Sequence, residues 1–375
     1  MRIKLIKYLL TIVLVISFVG CTNTNKPAPK PPVKQYKVEK KVVTPVIIEE
    51  PVIQEVIQEV KVEEKDIPAQ ISVALIFPSK YMSKYGLGAS KVISAYVLQQ
   101  NLTINMQVFD CIDQNYENLV RTFSQIKEQN ITKVIALFTP KMVSYLNNID
   151  GIDDIDIYIP TINKKSSNIN SSNIVFGGID YKQQIDKLLS LSNGKIVNFY
   201  SKRGISRKLT NILENSASNV TNKIVDNSSR YNRLLNNSIK YKTIFLNTTM
   251  VKSSILLSQI RGKDLKPYRI LSTQLNYNPL IISLTQRADR TKLVFANSIG
   301  KIDPLLEENI TLLGADIKYD WVNYSTLIGI DYLIRSSMPV VDLLNYNIED
   351  GQVQYDVNIV KNDGYSFKSY LPVVN

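Results

Sequence analysis

From residue 71 onward the chain alternates short apolar runs with amphipathic stretches, and this alternation limits the folds open to it. ISVALIFP (71–78), INMQVFDC (104–111), TKVIALFTP (132–140) and IDIYIPTI (155–162) are short, nearly continuous apolar runs. Such runs mark strands buried on both faces. Between the second and third, Tyr116, Leu119, Val120, Phe123 and Ile126 recur at the spacing of one helix face. Strands alternating with helices predict a mainly parallel α/β sheet. The pattern then restarts with NIVFGGI (173–179), KIVNFYS (195–201), YKTIFLNTT (241–249), YRILSTQL (268–275) and TKLVFANS (291–298). STLIGIDYLIRS (325–336) reads as a late apolar helix. QVQYDVNIV (352–360) alternates, with Val353, Tyr355, Val357 and Ile359 on one side. Asn362-Asp363-Gly364 then supplies a turn, so the chain is expected to end in a hairpin. The expected fold is α/β, with two Rossmann-like lobes of mainly parallel sheet.

The first 70 residues read differently. Arg2, Lys4 and Lys7 precede an uncharged stretch from Tyr8 to Gly20, the form of a secretory signal. That stretch is shorter than the roughly 20 apolar residues of a membrane-spanning helix. It ends in Phe18-Val19-Gly20-Cys21, which resembles the lipobox of bacterial lipoproteins. The resemblance implies removal of residues 1–20 and a lipid on Cys21, the route by which the chain would hold a membrane. Acyl chains contribute about 0.8 kcal/mol per buried methylene, enough for firm anchoring when several sit on one residue. Thr22 after the cysteine resembles an outer-membrane address, facing the periplasm. Residues 21–69 are expected to be a tether. Its first half is basic and proline-rich and its second half acidic, with the echo VIQEVIQEV. Extended at about 3.1 Å per residue, it would reach on the order of 140 Å. The alternative is that VIIEEPVIQEVIQEVKV docks on the body as a short helix or strand.

Composition narrows the chemistry. The 375-residue chain has no histidine, which removes the commonest general base and metal ligand. Cys111, in QVFDCID, reads as a small buried residue rather than a reactive thiol, because the carboxylates of Asp110 and Asp113 would raise its pKa. The motifs of serine hydrolases, P-loop enzymes and zinc peptidases are missing. Gly86-Leu87-Gly88 lacks the third glycine of a dinucleotide fingerprint. Asp153, Asp154 and Asp156 read as a solvated loop before a strand. The chain is therefore expected to be no enzyme and to carry no cofactor and no metal. Its net charge of +12 favours anionic partners. Nucleic acid is not among them, since the chain is read as exported and its lysines form no stripe with interleaved aromatics.

The opening VALIFP, the glycine-containing segment at Gly86–Gly88, MQVFD, VIALFTP, and IGIDYLI before DGQVQYDV resemble type 1 periplasmic-binding folds over roughly residues 70–375. On a lipid-anchored chain they resemble the C-terminal domain of penicillin-binding-protein activator lipoproteins. That resemblance implies three crossings between lobes. Lobe one would hold about 70–178 and 292–338, and lobe two about 179–291 and 339–375. Ligands of such folds bind beyond the carboxyl ends of parallel strands. The candidates there are Ser79, Lys80, Tyr81, Thr139 and Thr161 in lobe one, and Tyr200, Ser201, Asn247, Thr248 and Gln274 in lobe two. Lys80, Tyr81 and Tyr85 are expected on a loop at the cleft mouth. Two functions follow. One is a regulator or scaffold of peptidoglycan synthesis that contacts a penicillin-binding protein. The other is a receptor that hands a small polar ligand to an importer permease. An open, polar cleft favours the receptor, and a cleft filled by side chains favours the scaffold.

Overall fold

The computed structural model describes residues 71–226 and 230–370. The expected signal peptide, Cys21 and the tether lie outside the described residues. Two seven-stranded sheets form the body. In the first, β1 (Ile71–Phe77), β2 (Ile104–Asp110), β3 (Lys133–Ala136), β4 (Asp156–Ile159) and β5 (Ile174–Phe176) are parallel. The second holds β6 (Ile196–Tyr200), β7 (Val220–Ile224), β8 (Thr243–Asn247), β9 (Arg269–Ser272) and β10 (Leu293–Asn297), also parallel. Late strands complete each sheet. β11 (Asn347–Glu349) and β12 (Gln352–Gln354) join the first, β13 (Asn358–Asn362) and β14 (Phe367–Ser369) the second. Seven helices of nine or more residues occur among the described residues. They are α1 (Ser79–Gln99), α2 (Tyr116–Glu128), α3 (Tyr181–Leu189), α4 (Gly204–Ser216), α5 (Met250–Gly262), α6 (Pro304–Leu312) and α7 (Trp321–Arg335).

The period of two along each strand sends alternate residues to opposite faces. On β1, Val73 and Leu75 pack with Val92, Ile93 and Tyr96 of α1 and with Leu327 and Ile330 of α7. Ala74 and Ile76 point the other way, toward Leu119, Phe123 and Ile126 of α2. The second sheet repeats the scheme. Val197, Phe199, Ile244 and Phe295 face Leu256, Leu257 and Ile260 of α5. Ile196, Phe245, Leu271 and Ala296 face α3 and α4. Covering both faces explains why these strands read as unbroken apolar runs. Helix α7 also buries Asp331, whose carboxylate accepts from the hydroxyls of Tyr96 and Tyr346, each at 2.7 Å, and pairs with Arg335 at 2.9 Å. A buried charge persists because every one of these groups donates to it.

Four expectations need correction. Ser79, Lys80, Tyr81 and Tyr85 do not form a loop, because α1 starts at Ser79 directly after Pro78. The first amide is capped from 31 residues away, by Asp110 Oδ1 at 3.0 Å from Ser79 N, so no local signal marks the start. Gly86 and Gly88 lie inside this helix, where they allow close packing. A Cβ at Gly86 would sit 2.5 Å from the Phe77 ring, and one at Gly88 2.5 Å from Asn323 Oδ1. Second, β10 belongs to lobe two rather than lobe one, since it pairs with β9 and β13. Residues 347–354 belong to lobe one rather than lobe two, through the pairing of β12 with β5. Third, the alternating run 352–360 is not one strand. Its ends join different sheets and Tyr355–Val357 crosses between them, while the expected hairpin at Asn362–Gly364 is formed by β13 and β14. Fourth, β7 has no counterpart in the sequence reading. VTNKI sits at a sheet edge with two exposed residues, so burial leaves no apolar run there.

Candidate ligand-binding cleft

The carboxyl ends of the strands of both lobes open onto a cleft of about 710 Å³. Lobe one contributes Met82 and Tyr85 from α1, Phe138 to Pro140 after β3, and Thr161 to Asn163 after β4. Lobe two contributes Ile205 and Lys208 from α4, and Gln274 and Leu275 after β9. Tyr319 to Val322, at the start of α7, complete the wall. The size falls in the range of small-molecule sites. The lining is mainly apolar and aromatic, where the sequence reading expected a polar one.

Polar groups are few and specific. Asp320 caps α7, accepting from the amides of Val322 and Asn323 at 3.0 and 3.2 Å. Burial nevertheless raises its pKa above the usual carboxylate value. Lys208 reaches from lobe two to Ser166 Oγ of lobe one at 3.1 Å, and the surrounding protein lowers its pKa. Thr139 Oγ1, Gln274 Nε2 and Trp321 Nε1 are buried with no hydrogen-bond partner. An unmet buried polar group costs about 1–3 kcal/mol. All three belong to residues of the cleft wall, but the atoms themselves are closed to solvent.

The crossings lie behind the cleft and converge on α7. Gly177 of the first crossing accepts at its carbonyl from Ser325 Oγ and Tyr355 Oη, both at 2.9 Å. Gly300 of the second donates its amide to Tyr324 Oη at 3.1 Å. Tyr355 of the third packs edge-on against Trp321, ring centroids 4.7 Å apart. Burial raises the pKa of Tyr158, Tyr324 and Tyr355, so these hydroxyls stay protonated. Trp321 thus touches the cleft wall on one side and the hinge on the other.

Of the residues expected at the site, the structure brings Tyr85, Thr139, Thr161 and Gln274 into the cleft wall. Thr161 Oγ1 is spent on the Phe138 carbonyl at 2.6 Å. Gln274 Oε1 accepts from the Ser298 amide at 2.8 Å. The others do not line it. Lys80 is exposed and pairs with Asp113 at 3.2 Å, and Tyr81 is 59% exposed on α1. Ser79 stands in the first turn of the same helix. Tyr200 is buried with its hydroxyl near Arg207, and Ser201 Oγ donates to the Val225 carbonyl at 3.0 Å. Asn247 donates to Asn198 at 3.0 Å, and Thr248 pairs with Ser253 at 2.8 Å, both fully buried. Ser201 and Asn247 thus bond to neighbouring strands, and Thr248 to the first turn of α5. The sequence reading missed Tyr181, Ile205, Lys208, Tyr319 and Trp321. Trp321, the single tryptophan of the chain, was the signal available. Cys111 is fully buried and free, and burial, with the Asp110 charge, pushes its thiol up to about 12. Among the described residues no cluster of acidic and thiol groups could hold a metal ion.

No family model matches the sequence, and no curated protein does. Solved structures do. One is a solute-binding protein of an ABC transporter from R. palustris in complex with 4-hydroxybenzoate, 10% identical over 80% of this chain and 96% of that one, with a TM-score of 0.57. Another is the branched-chain amino acid binding protein LivJ from Streptococcus pneumoniae in complex with isoleucine. It is 10% identical over 80% of this chain and 98% of that one, with a TM-score of 0.56. The body has a type 1 periplasmic-binding-protein-like fold. Haemophilus influenzae LpoA shares it, 11% identical over 80% of this chain and 58% of that one, with a TM-score of 0.54. The type 1 fold accounts for the three crossings and for the cleft at the strand ends.

Proposed function

We propose that this chain is a non-catalytic cell-envelope protein that binds a small molecule between its lobes. The observation that carries this reading is the open cleft of about 710 Å³, walled by both lobes. A body that served only as a scaffold would have no need to keep such a space open. The apolar wall fits a ligand with an apolar or aromatic body, and the few polar groups fit one polar end. The neighbours crystallised with 4-hydroxybenzoate and isoleucine hold ligands of that kind. Anchoring through Cys21 would keep the body at the membrane, and Cys21→Ser should move it to the soluble fraction.

Trp321 makes the test direct. Because it is the only tryptophan and lines the cleft, its emission reports occupancy. Titration with aromatic carboxylates and branched amino acids should give a saturable emission change and a raised Tm for at least one compound. Ile205→Trp, which fills the wall, should abolish the stabilisation without unfolding the protein. A second reading is supported by the likeness to LpoA: the body contacts a penicillin-binding protein and regulates peptidoglycan synthesis. If no small molecule changes the emission or the Tm, while crosslinking in cells captures a penicillin-binding protein, the second reading replaces the first.

A further inference from the structure

The charge of the body is divided unevenly between its lobes. Lobe two, residues 181–298 and 358–370, carries 22 Lys and Arg against 6 Asp and Glu, a net +16. Lobe one, residues 71–180 and 299–357, carries 12 against 19, a net −7. Cations stand at both ends of the second sheet: Lys202, Arg203, Arg207 and Lys208 follow β6 at the cleft side, and a side-by-side row stands at the strand starts. Four of its parallel strands enter the sheet on a cation. Lys195 precedes β6, Lys242 precedes β8, Arg269 begins β9 and Lys292 precedes β10. The register places them side by side. The amide of Thr243 bonds the Lys195 carbonyl at 2.8 Å, that of Tyr268 the Lys242 carbonyl at 2.9 Å, and that of Ile270 the Lys292 carbonyl at 2.9 Å. Lys361 of β13 stands opposite Val294, one residue into β10. Lys240 and Lys266 extend the array, and the carboxylates near it are each paired: Asp264 with Lys266 at 3.0 Å, Asp289 with Arg261 at 3.6 Å and Asp363 with Lys368 at 2.7 Å. The strand starts of the first sheet are not built this way: its Lys133 is buried and paired with Asp156 at 3.5 Å.

Tyrosines stand among these cations. Tyr241 is 68% and Tyr268 48% exposed. Tyr241 is held at φ +58°, a conformation rare for a bulky residue, and its amide bonds the Lys266 carbonyl at 3.2 Å. Arg269 lies between the rings of Tyr268 and Tyr370, at 5.5 and 5.4 Å. Cations spread across a strand-end face, with amphipathic rings beside them, suit a lipid headgroup layer, where Tyr rests with its ring toward the acyl boundary and its hydroxyl in water. A nucleic-acid strand would ask for a groove instead. We infer that the amino-terminal end of the lobe-two sheet docks on an anionic phospholipid bilayer. The same strands meet the cleft at their opposite ends, so a docked body keeps its cleft clear of the surface.

The test uses the full chain carrying Cys21→Ser, so that no acyl group contributes and the remaining N-terminal segment is common to every sample. Co-sedimentation is measured with vesicles of pure phosphatidylcholine and with vesicles containing phosphatidylglycerol. The chain should prefer the anionic vesicles and lose that preference as salt rises. Lys195→Glu, Lys240→Glu and Lys361→Glu together should weaken binding to them by at least on the order of a hundredfold, since the loss of each cation near such a surface is worth about fivefold before the added repulsion of the glutamates. Arg121→Glu, Lys127→Glu and Lys141→Glu on lobe one change net charge equally and should have a much smaller effect. Equal loss in both triple variants, or equal binding to both vesicle types, overturns the proposal. So does retention on an acidic polymer such as polyglutamate, sensitive to the lobe-two triple variant, with no retention on vesicles.

Discussion

The Gly177 carbonyl lets the hinge be tested quantitatively. Gly177 is buried, and its carbonyl accepts from Ser325 Oγ and Tyr355 Oη, each at 2.9 Å. Tyr355→Phe removes one donor and leaves the other, so its main cost is one hydrogen bond, about 1 kcal/mol, with the long 3.4 Å contacts to Tyr158 and Ser325 lost as well. Ser325→Ala has a similar cost, with the 3.2 Å contact to Tyr158 lost as well. The double variant is different in kind. It leaves a buried carbonyl without either hydroxyl donor, which adds a desolvation penalty of about 1–3 kcal/mol. The double-mutant cycle should therefore show a coupling energy of about 1–2 kcal/mol, with the double variant less stable than the sum of the singles. Urea unfolding followed by circular dichroism measures it, provided one transition is seen for the body. A coupling energy within 0.5 kcal/mol of zero, about the scatter of independent sites, would refute the reasoning: water would then have replaced the missing donors.

Two glycines predict opposite signs for one substitution. A Cβ at Gly329 of α7 would lie 2.3 Å from Tyr158 Cδ1, and that fully buried ring has its hydroxyl engaged by Ser325, so Gly329→Ala should destabilise. Overpacking of about 1–3 kcal/mol exceeds the roughly 1 kcal/mol gained in helix propensity. At Gly262, where nothing lies within 4 Å, Gly262→Ala should stabilise by up to about 1 kcal/mol in the same unfolding assay. Cys111 gives a pH dependence. Its pKa is raised to about 12 when folded, so the neutral thiol adds stability that is fully present below the unfolded value and is lost as pH rises from there toward about 12. Cys111→Ala should flatten the decline in Tm between pH 8.5 and 10, and native Cys111 should react with a thiol reagent only at the rate of unfolding.

What the sequence made legible follows from where burial writes a pattern. Strands covered on both faces must be apolar throughout, so β1, β3, β6, β8 and β10 could be read directly. The face of α2 was legible for the same reason, Leu119, Phe123 and Ile126 all being buried. The edge strand β7 was not, because exposure removes the constraint that makes a run apolar. The lobe boundaries failed on a subtler point. An alternating run such as 352–360 states which residues turn inward but not toward which core. Val353 turns into the first lobe and Val357 into the second, so one unbroken period spans a crossing. The cleft was legible as a place and not as a set of contacts. Polar residues at strand ends divide between those bonded away from the cleft, as Ser201 and Thr248 are, and those bonded within its wall, as Thr161 and Gln274 are. For Ser201, Thr161 and Gln274 that division depends on neighbours from about 20 to 90 residues away. Hydroxyls and amides of the first kind are consumed by bonds at the strand ends, which leaves the wall around Trp321 mainly to apolar and aromatic side chains.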